Sequence, residues 1–468
     1  MQHPSTTEAQ APEVRLVGRL TTELDAVGAW LQPHFCRREA HATAVEYVKA
    51  LLGRAQRKNA WGLSEDAGHR APCAFQHLLL RAKWDVDAVR DDVLEYARRA
   101  LGEGGILEVD ETGFLKKGEK SVGVARQYTG TAGKVENAQV GVFLSYVTPL
   151  GHALVDRELY LPEPWTEVAA RREAGGIPDE VGFESKPALS QGMLQRALGA
   201  GLKPAWVVGN EVYGRDSTLR RFLEGLHQPY VLAVASNTHV WRGFYQVKPG
   251  DMVKEVAPEG WVRLSAGTGS KGPRLYDWAR MRLNRHLGLS RWLLFRRSLA
   301  DRKVAFYVAH ARRNAALESL VRAAGSRWAV EEDFESAKGE VGLADYEVCT
   351  WTAWHRHMTL CLVAHVFLAA ARAMANLRPQ EGLPQSVRPA VATKPHARVS
   401  RPAWPSLTAL VRYSVQEVRG LLMAILRRVA EPLAHVLARS RWRRHHQAVA
   451  MQCHYRARGA RLKLHLQD

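Results

Sequence analysis

Cysteine is scarce. The chain carries five, at positions 36, 73, 349, 361 and 453, with no C-x2-C pair among them. That scatter argues against a structural zinc site, offers no pattern for cysteine catalysis, and fits a reducing cytoplasm. An apolar leader is missing as well: residues 1–14 are polar and proline-bearing, so no signal peptide is expected there. Long uninterrupted apolar runs are also absent. The longest, Met358 to Leu377, contains His365 and Arg372, which favours a buried core helix over a membrane span. Acidic residues are in deficit, 47 against 66 Lys and Arg, and no internal repeat is evident.

The 468 residues and 46% hydrophobic content are enough for a large core and two or three domains. A net charge of +19 and a sequence pI of about 9.9 point to a polyanionic partner, most simply nucleic acid, with an anionic membrane surface as the competitor. Residues 1–19 read as a loose tail. Residues 20–101 have helical apolar spacing interleaved with basic residues, as in a helical N-terminal DNA-binding module. A glycine turn at 102–105 leads to a short buried strand ending at Asp110. Three β-like runs follow, Val122 to Tyr128, Gln139 to Val147 and Ala153 to Leu161, as in an antiparallel meander. Further buried strands are expected at 205–208 and 230–235, closing a first α/β segment over 102–237. Residues 238–312 read as a β-rich insertion, and helical texture returns over 313–377. Residues 378–405 hold six prolines and read as a linker. A helical, basic C-terminal region (406–468) follows, with a capping box at Ser414 to Glu417 and the arginines 441, 443 and 444 among its charges.

The densest chemistry lies at Arg327, Glu331 and Lys338, spaced R-x3-E-x6-K. At about 100° per residue, Glu331 falls about 40° and Lys338 about 20° from Arg327 around a helix. One face then offers a carboxylate between two cations, suited to phosphodiester chemistry. A solvated helix with i,i+4 ion pairs has the same spacing. Asp110 and Asn210 each end a buried strand; each also fits a plain turn or junction role. A strand, a strand and a late helix are brought together in an RNase H-like sheet.

The strings Asp110-Glu-Thr-Gly-Phe-Leu-Lys-Lys-Gly118, Gly123 to Gly130, Glu158 to Pro162, Glu211 to Asp216 and Arg327 to Lys338 resemble DDE transposases, and within them the insertion-sequence 701 branch of the insertion-sequence 4 superfamily. The resemblance runs from about Leu20 to the C-terminus and includes His355-Arg-His357. The family signature Y-x2-R-x3-E-x6-K is matched in register except at the tyrosine, which falls on Ala324. The resemblance implies an RNase H-like α/β core with a β-rich insertion between Asn210 and Glu331, flanked by helical N-terminal and basic C-terminal regions. It implies Asp110, the position of Asn210, and Glu331 as catalytic metal ligands for two Mg2+ or Mn2+ ions. Arg327 and Lys338 would hold phosphate. Lys116, Lys117, Arg126, Tyr128, Arg441, Arg443 and Arg444 would line DNA, and Trp261 or Trp278 would stack on a flipped base, although core packing is the commoner fate of a tryptophan. The partners implied are double-stranded DNA at element ends and target, and a second copy of the chain in a dimer on DNA, with no membrane, in a bacterial cytoplasm at the nucleoid.

Asn210 departs from the family's second aspartate. An amide loses a negative charge and bridges two cations poorly, so DNA binding without efficient cleavage is expected. Glu211 and Asp216 are poor substitutes, one facing away and one opening the next helix. A catalytically silent DNA-binding relative or repressor is the alternative. A membrane- or RNA-associated basic protein rests on charge alone.

Overall fold

The computed structural model describes residues 12–269, 272–286, 288–377 and 412–426, with 437, 440–442, 444–449, 451–453 and 456. The proline-rich segment 378–405 lies outside the described residues, as do Arg443 and residues 457–468.

Five helices precede the first strand: α1 (Pro12–Leu31), α2 (Arg38–Leu52), α3 (Ala60–Asp66), α4 (Cys73–Leu80) and α5 (Val86–Leu101). Helix α1 begins inside the segment expected to be loose, because Leu16, Leu20, Leu24, Val27 and Leu31 form one buried stripe. In α5 the Asp85 side chain accepts the amides of Asp87 and Ala88, Val89, Val93, Tyr96 and Ala97 face inward, and Gly102 (φ 89°) ends the helix.

A meander follows. Strand β1 (Ile106–Leu115) pairs antiparallel with β3 (Lys134–Thr148), whose far side carries β2 (Ala125–Thr129) at one end and β4 (Gly151–Tyr160) along the rest. Strand β1 does not stop at Asp110. It runs five residues further, to Leu115, so that Gly113 lies in extended strand. Gly113 is required there because a Cβ would lie 1.8 Å from the Thr129 hydroxyl.

Short helices α6 (Glu163–Glu167) and α7 (Ala169–Gly175) lead to α8 (Lys186–Gly199), then β5 (Trp206–Gly209), α9 (Glu211–Gly214), α10 (Ser217–Gly225) and β6 (Tyr230–Val234). Strand β5 is parallel to both β1 and β6. The order β4–β3–β1–β5–β6, with an antiparallel meander and two parallel additions, is an RNase H-like sheet.

The chain next forms a separate hairpin, β7 (Val240–Arg242) with β8 (Tyr245–Val247), and the short helix α11 (Pro249–Met252). Strands β9 (Val262–Gly269), β10 (Gly272–His286), β11 (Leu289–Arg297) and β12 (Val304–Ala311) then extend the core sheet, β12 pairing antiparallel with β6. The β-rich segment is thus a continuation of the core sheet. Helices α12 (Leu317–Ser326), α13 (Trp328–Val341) and α14 (Trp351–Asn376) return, and α15 (Val415–Ile425) carries the expected capping box at Ser414.

Helix α14 is long and apolar enough to cross a membrane, but 83% of its apolar window is buried inside the fold. It packs on β4, α5 and α2, and burying side chains such as Leu360, Leu362 and Phe367 stabilises the fold by about 1.5–3 kcal/mol each.

Candidate active site

Strands β1 and β5 pair in parallel from Ile106 opposite Trp206 to Val109 opposite Gly209. The next residues, Asp110 and Asn210, therefore stand together where the parallel pairing ends, the crevice at which open α/β sheets place their ligands. Gly214 seats the Asn210 segment: α9 lies so close to β6 that a Cβ there would fall 1.8 Å from the Ala233 carbonyl oxygen.

Asn210 caps α9, its Oδ1 accepting the Val212 amide at 2.7 Å. Its Nδ2 donates to Asp110 Oδ1 at 2.7 Å and to Glu111 Oε2 at 3.3 Å. The orientation is self-consistent, since flipping the amide would set oxygen against carboxylate and N–H against N–H. Glu111 also accepts from the Tyr213 hydroxyl at 2.8 Å and pairs with Lys186 at 3.1 Å. Burial pushes the Asp110 carboxyl up to about 7, the neighbouring Glu111 charge adds to this, and Arg327 and the Asn210 hydrogen bond oppose it.

Helix α13 brings the late motif to β1. Lys338 Nζ donates to Thr112 Oγ1 at 2.7 Å, and its burial lowers its pKa to about 8. Arg327 Nη2 lies 3.6 Å from Glu331 Oε1. Glu331 is 46% exposed, so the pair is partly solvent-screened. The adjacent acid Glu332 is turned elsewhere, 3.3 Å from His152 Nε2.

On the opposite face of α13, Asp333 is buried and accepts from Ser145 Oγ at 2.5 Å and from His152 Nδ1 at 2.8 Å. His365 Nε2 stands 3.7 Å away. One carboxylate thereby ties α13 to β3 and β4 and lies against α14. Residues two apart on a helix are about 200° apart, so this anchorage turns Glu331 away from the core.

Divalent cations need oxygen ligands free to face them. Here Asn210 presents N–H donors to the acids, Glu331 faces Arg327, and among the described residues no three His, Cys, Asp or Glu are grouped to hold a metal ion. The donor set does not fit a pair of cations.

Other expected contacts separate. Arg126 and Tyr128 are exposed on β2, and Lys117 is exposed just after the end of β1. Lys116 departs from the expected DNA lining. Its ammonium sits 3.5 Å from the centre of the Tyr346 ring and donates to the Tyr346 carbonyl at 3.2 Å, because Tyr346 offers both a π face and an acceptor. Arg441 and Arg444 are exposed. Trp278 is not available for stacking: it is 0% exposed, packed against Tyr276 and Tyr307 in the core under α12. Trp261 is half-buried, with the Arg297 guanidinium 3.9 Å from its ring centre. Among the described residues the most exposed aromatics are instead Phe244 (94%) and Tyr245 (77%) on the β7–β8 hairpin, signalled in sequence only by the Gly243 turn.

Glu108 also went unremarked in the sequence. It lies two residues before Asp110 on the same face of β1, fully buried, with neither carboxyl oxygen hydrogen-bonded in ordinary geometry. Burial, then the Asp110 charge, holds it well above the usual carboxylate range. An acid interrupting an apolar strand was the available signal.

Asp110 within β1, Asn210 just past the end of β5 and the basic–acidic–basic helix α13 are thus gathered at one place in the fold. Residues 30–255 match the DDE superfamily endonuclease family. This stretch is DDE endonuclease-like. A probable transposase for insertion sequence element IS701 from Microchaete diplosiphon is 31% identical over 173 residues, which are 36% of this chain. The chain spans 41% of the length of that relative. The DDE-like stretch contains Asp110 and Asn210; Glu331 lies beyond it.

Proposed function

We propose that this chain is a DDE-type DNA transposase scaffold that binds the terminal inverted repeats of an insertion sequence, and that in its present form it binds these ends without cutting them efficiently. The observation that carries the reading is the meeting of Asp110 and Asn210 where the β1–β5 pairing ends, beneath the Lys338 face of α13. The DDE-like match and the charge of +19 support a DNA substrate. Enzymes of this type use Mg2+ or Mn2+ for strand cleavage and transfer; the donor set here lacks the second acid, so no cleavage step is assigned to this chain.

The chain's own residues would act on the backbone of the duplex. Arg327 and Lys338 would hold phosphate beside Asp110, and the exposed Lys117, Arg126 and Tyr128 would extend that path along β2, with Arg441, Arg443 and Arg444 adding charge from the C-terminal region. A dimer would hold the two element ends together, within the bacterial cytoplasm at the nucleoid. A silent relative that occupies the ends and represses is the second reading, favoured by Asn210 itself.

The test is cleavage of a labelled element-end duplex in Mg2+ and in Mn2+ by this chain and by Asn210→Asp, side by side. Cutting by the Asn210→Asp form alone is expected. Comparable cutting by the unmodified chain would refute the assignment of Asn210. Cutting by neither, with end-specific binding retained, would favour the repressor reading. Absence of duplex binding would sink both.

A further inference from the structure

The mismatch between this site and a metal centre has a specific form. Asn210 Nδ2 carries two hydrogens, and two carboxylates stand within hydrogen-bonding distance of it, Asp110 at 2.7 Å and Glu111 at 3.3 Å. Its Oδ1 is committed to the Val212 amide. The amide's hydrogen-bonding capacity toward its neighbours is thus engaged on both sides. The positive end of a fixed dipole occupies the place where the two acids converge.

We infer that the Asn210 carboxamide stands in for a cation between Asp110 and Glu111, so that this chain folds, and holds its acid cluster together, without any divalent metal. Glu111 is then a member of the cluster, although neither its neighbours in sequence nor the R-x3-E-x6-K motif draws attention to it. The inference rests on the DDE-type reading of the site proposed above.

Three features support the substitution. The nearby cations have other partners: Lys186 pairs with Glu111, Arg327 lies against Glu331, and Lys338 donates to the Thr112 hydroxyl. Tyr213 adds a neutral donor to Glu111 rather than a charge. An incoming cation would meet N–H hydrogens and would have to break two hydrogen bonds to carboxylates, each stronger than a neutral one. An aspartate in the same place would keep the helix cap, since Asp and Asn cap equally well. It would, however, turn a donor toward two carboxylates into a third carboxylate, and the cluster would then require a cation.

The experiment needs no DNA and no activity. Mn2+ binding to the full chain is followed by loss of the free-ion electron paramagnetic resonance signal, and thermal unfolding is recorded with and without Mn2+. The unmodified chain is expected to bind no Mn2+ at this site at concentrations up to about 1 mM, within the range of weak oxygen sites, and its Tm to be unmoved by the ion. Asn210→Asp is expected to lose several degrees of Tm without metal, regain them with Mn2+, and bind the ion at least about tenfold tighter, as an added ligand charge dictates. Adding Glu111→Gln to Asn210→Asp should weaken that binding about tenfold. Should Asn210→Asp fail to fold without metal, Asn210→Ser keeps a capping oxygen but removes the bridge without adding charge; it should lower Tm and acquire a weak Mn2+ response. Stoichiometric Mn2+ binding by the unmodified chain that Asp110→Asn abolishes would overturn the inference. So would an Asn210→Asp protein that neither loses Tm nor gains Mn2+. A failure of the unmodified chain to bind duplex DNA would fall on the proposed function alone.

Discussion

The His152–Asp333 contact should make the stability of this protein depend on pH in a defined direction. Burial alone would pull the His152 pKa down; the Asp333 carboxylate reverses this, Glu332 adds to it and Arg372 on α14 opposes, leaving a value of about 10 against an ordinary 6.5. His365, also on α14, faces the same carboxylate. At about 1.4 kcal/mol per tenfold in proton affinity, that rise corresponds to about 5 kcal/mol. Breaking a buried pair by removing one partner costs about 3–5 kcal/mol, which agrees. Because the folded value is raised, this stability is fully present below pH 6.5 and is lost as pH rises toward and through 10. The perturbation is His152→Ala, and the assay is urea denaturation of parent and variant at pH 6, 8 and 10. The expected difference is about 3–5 kcal/mol at pH 6, shrinking steadily to the packing cost of the lost ring by pH 10. A difference that stays constant with pH would refute the ion-pair reasoning and leave only a packing role. Since Asp333 anchors the helix that carries Glu331, the same variant should also loosen the placement of the late motif.

Two further outcomes follow from the site. Lys338→Gln should weaken duplex binding and reduce its salt slope by about 0.9, the loss of one phosphate contact; with the Lys338 pKa lowered to about 8, its advantage over the variant should vanish as pH rises from 7 to 9, and a pH-independent difference would remove Lys338 from the phosphate. Gly214→Ala should destabilise the protein by about 3 kcal/mol or more, because the new Cβ meets a backbone carbonyl that has no rotamer to change; an unchanged Tm would mean that α9 does not lie against β6 as described.

Much of the layout is local and was readable as such. The meander, the two later strands and the cap at Ser414 follow from alternation, apolar runs and a four-residue capping pattern, all properties of single elements. The common face of Arg327, Glu331 and Lys338 follows from helical geometry alone. Where elements meet, the spacing was silent. Trp261 and Trp278 look alike in a β-rich segment, yet one lies under α12 with no exposed surface and the other under an arginine. Lys116 and Lys117 are neighbours in one basic run, yet only one turns back onto Tyr346. The strand containing Asp110 runs on to Leu115, because β3 offers hydrogen-bonding partners that a turn signal in the sequence cannot weigh.

By itself the sequence determined the order and type of the elements, the sign of the charge, and which side chains share one helix face or strand end, because these depend on short-range periodicity and composition. The tertiary structure decided that Asn210 turns its N–H donors toward Asp110 and Glu111, that Glu108 lies buried beside them, and that Asp333 rather than its neighbours anchors α13. The Asn210 and Asp333 contacts join residues about a hundred or more positions apart, and a side chain's partner across such a distance is set by which faces pack together, a quantity no local pattern contains.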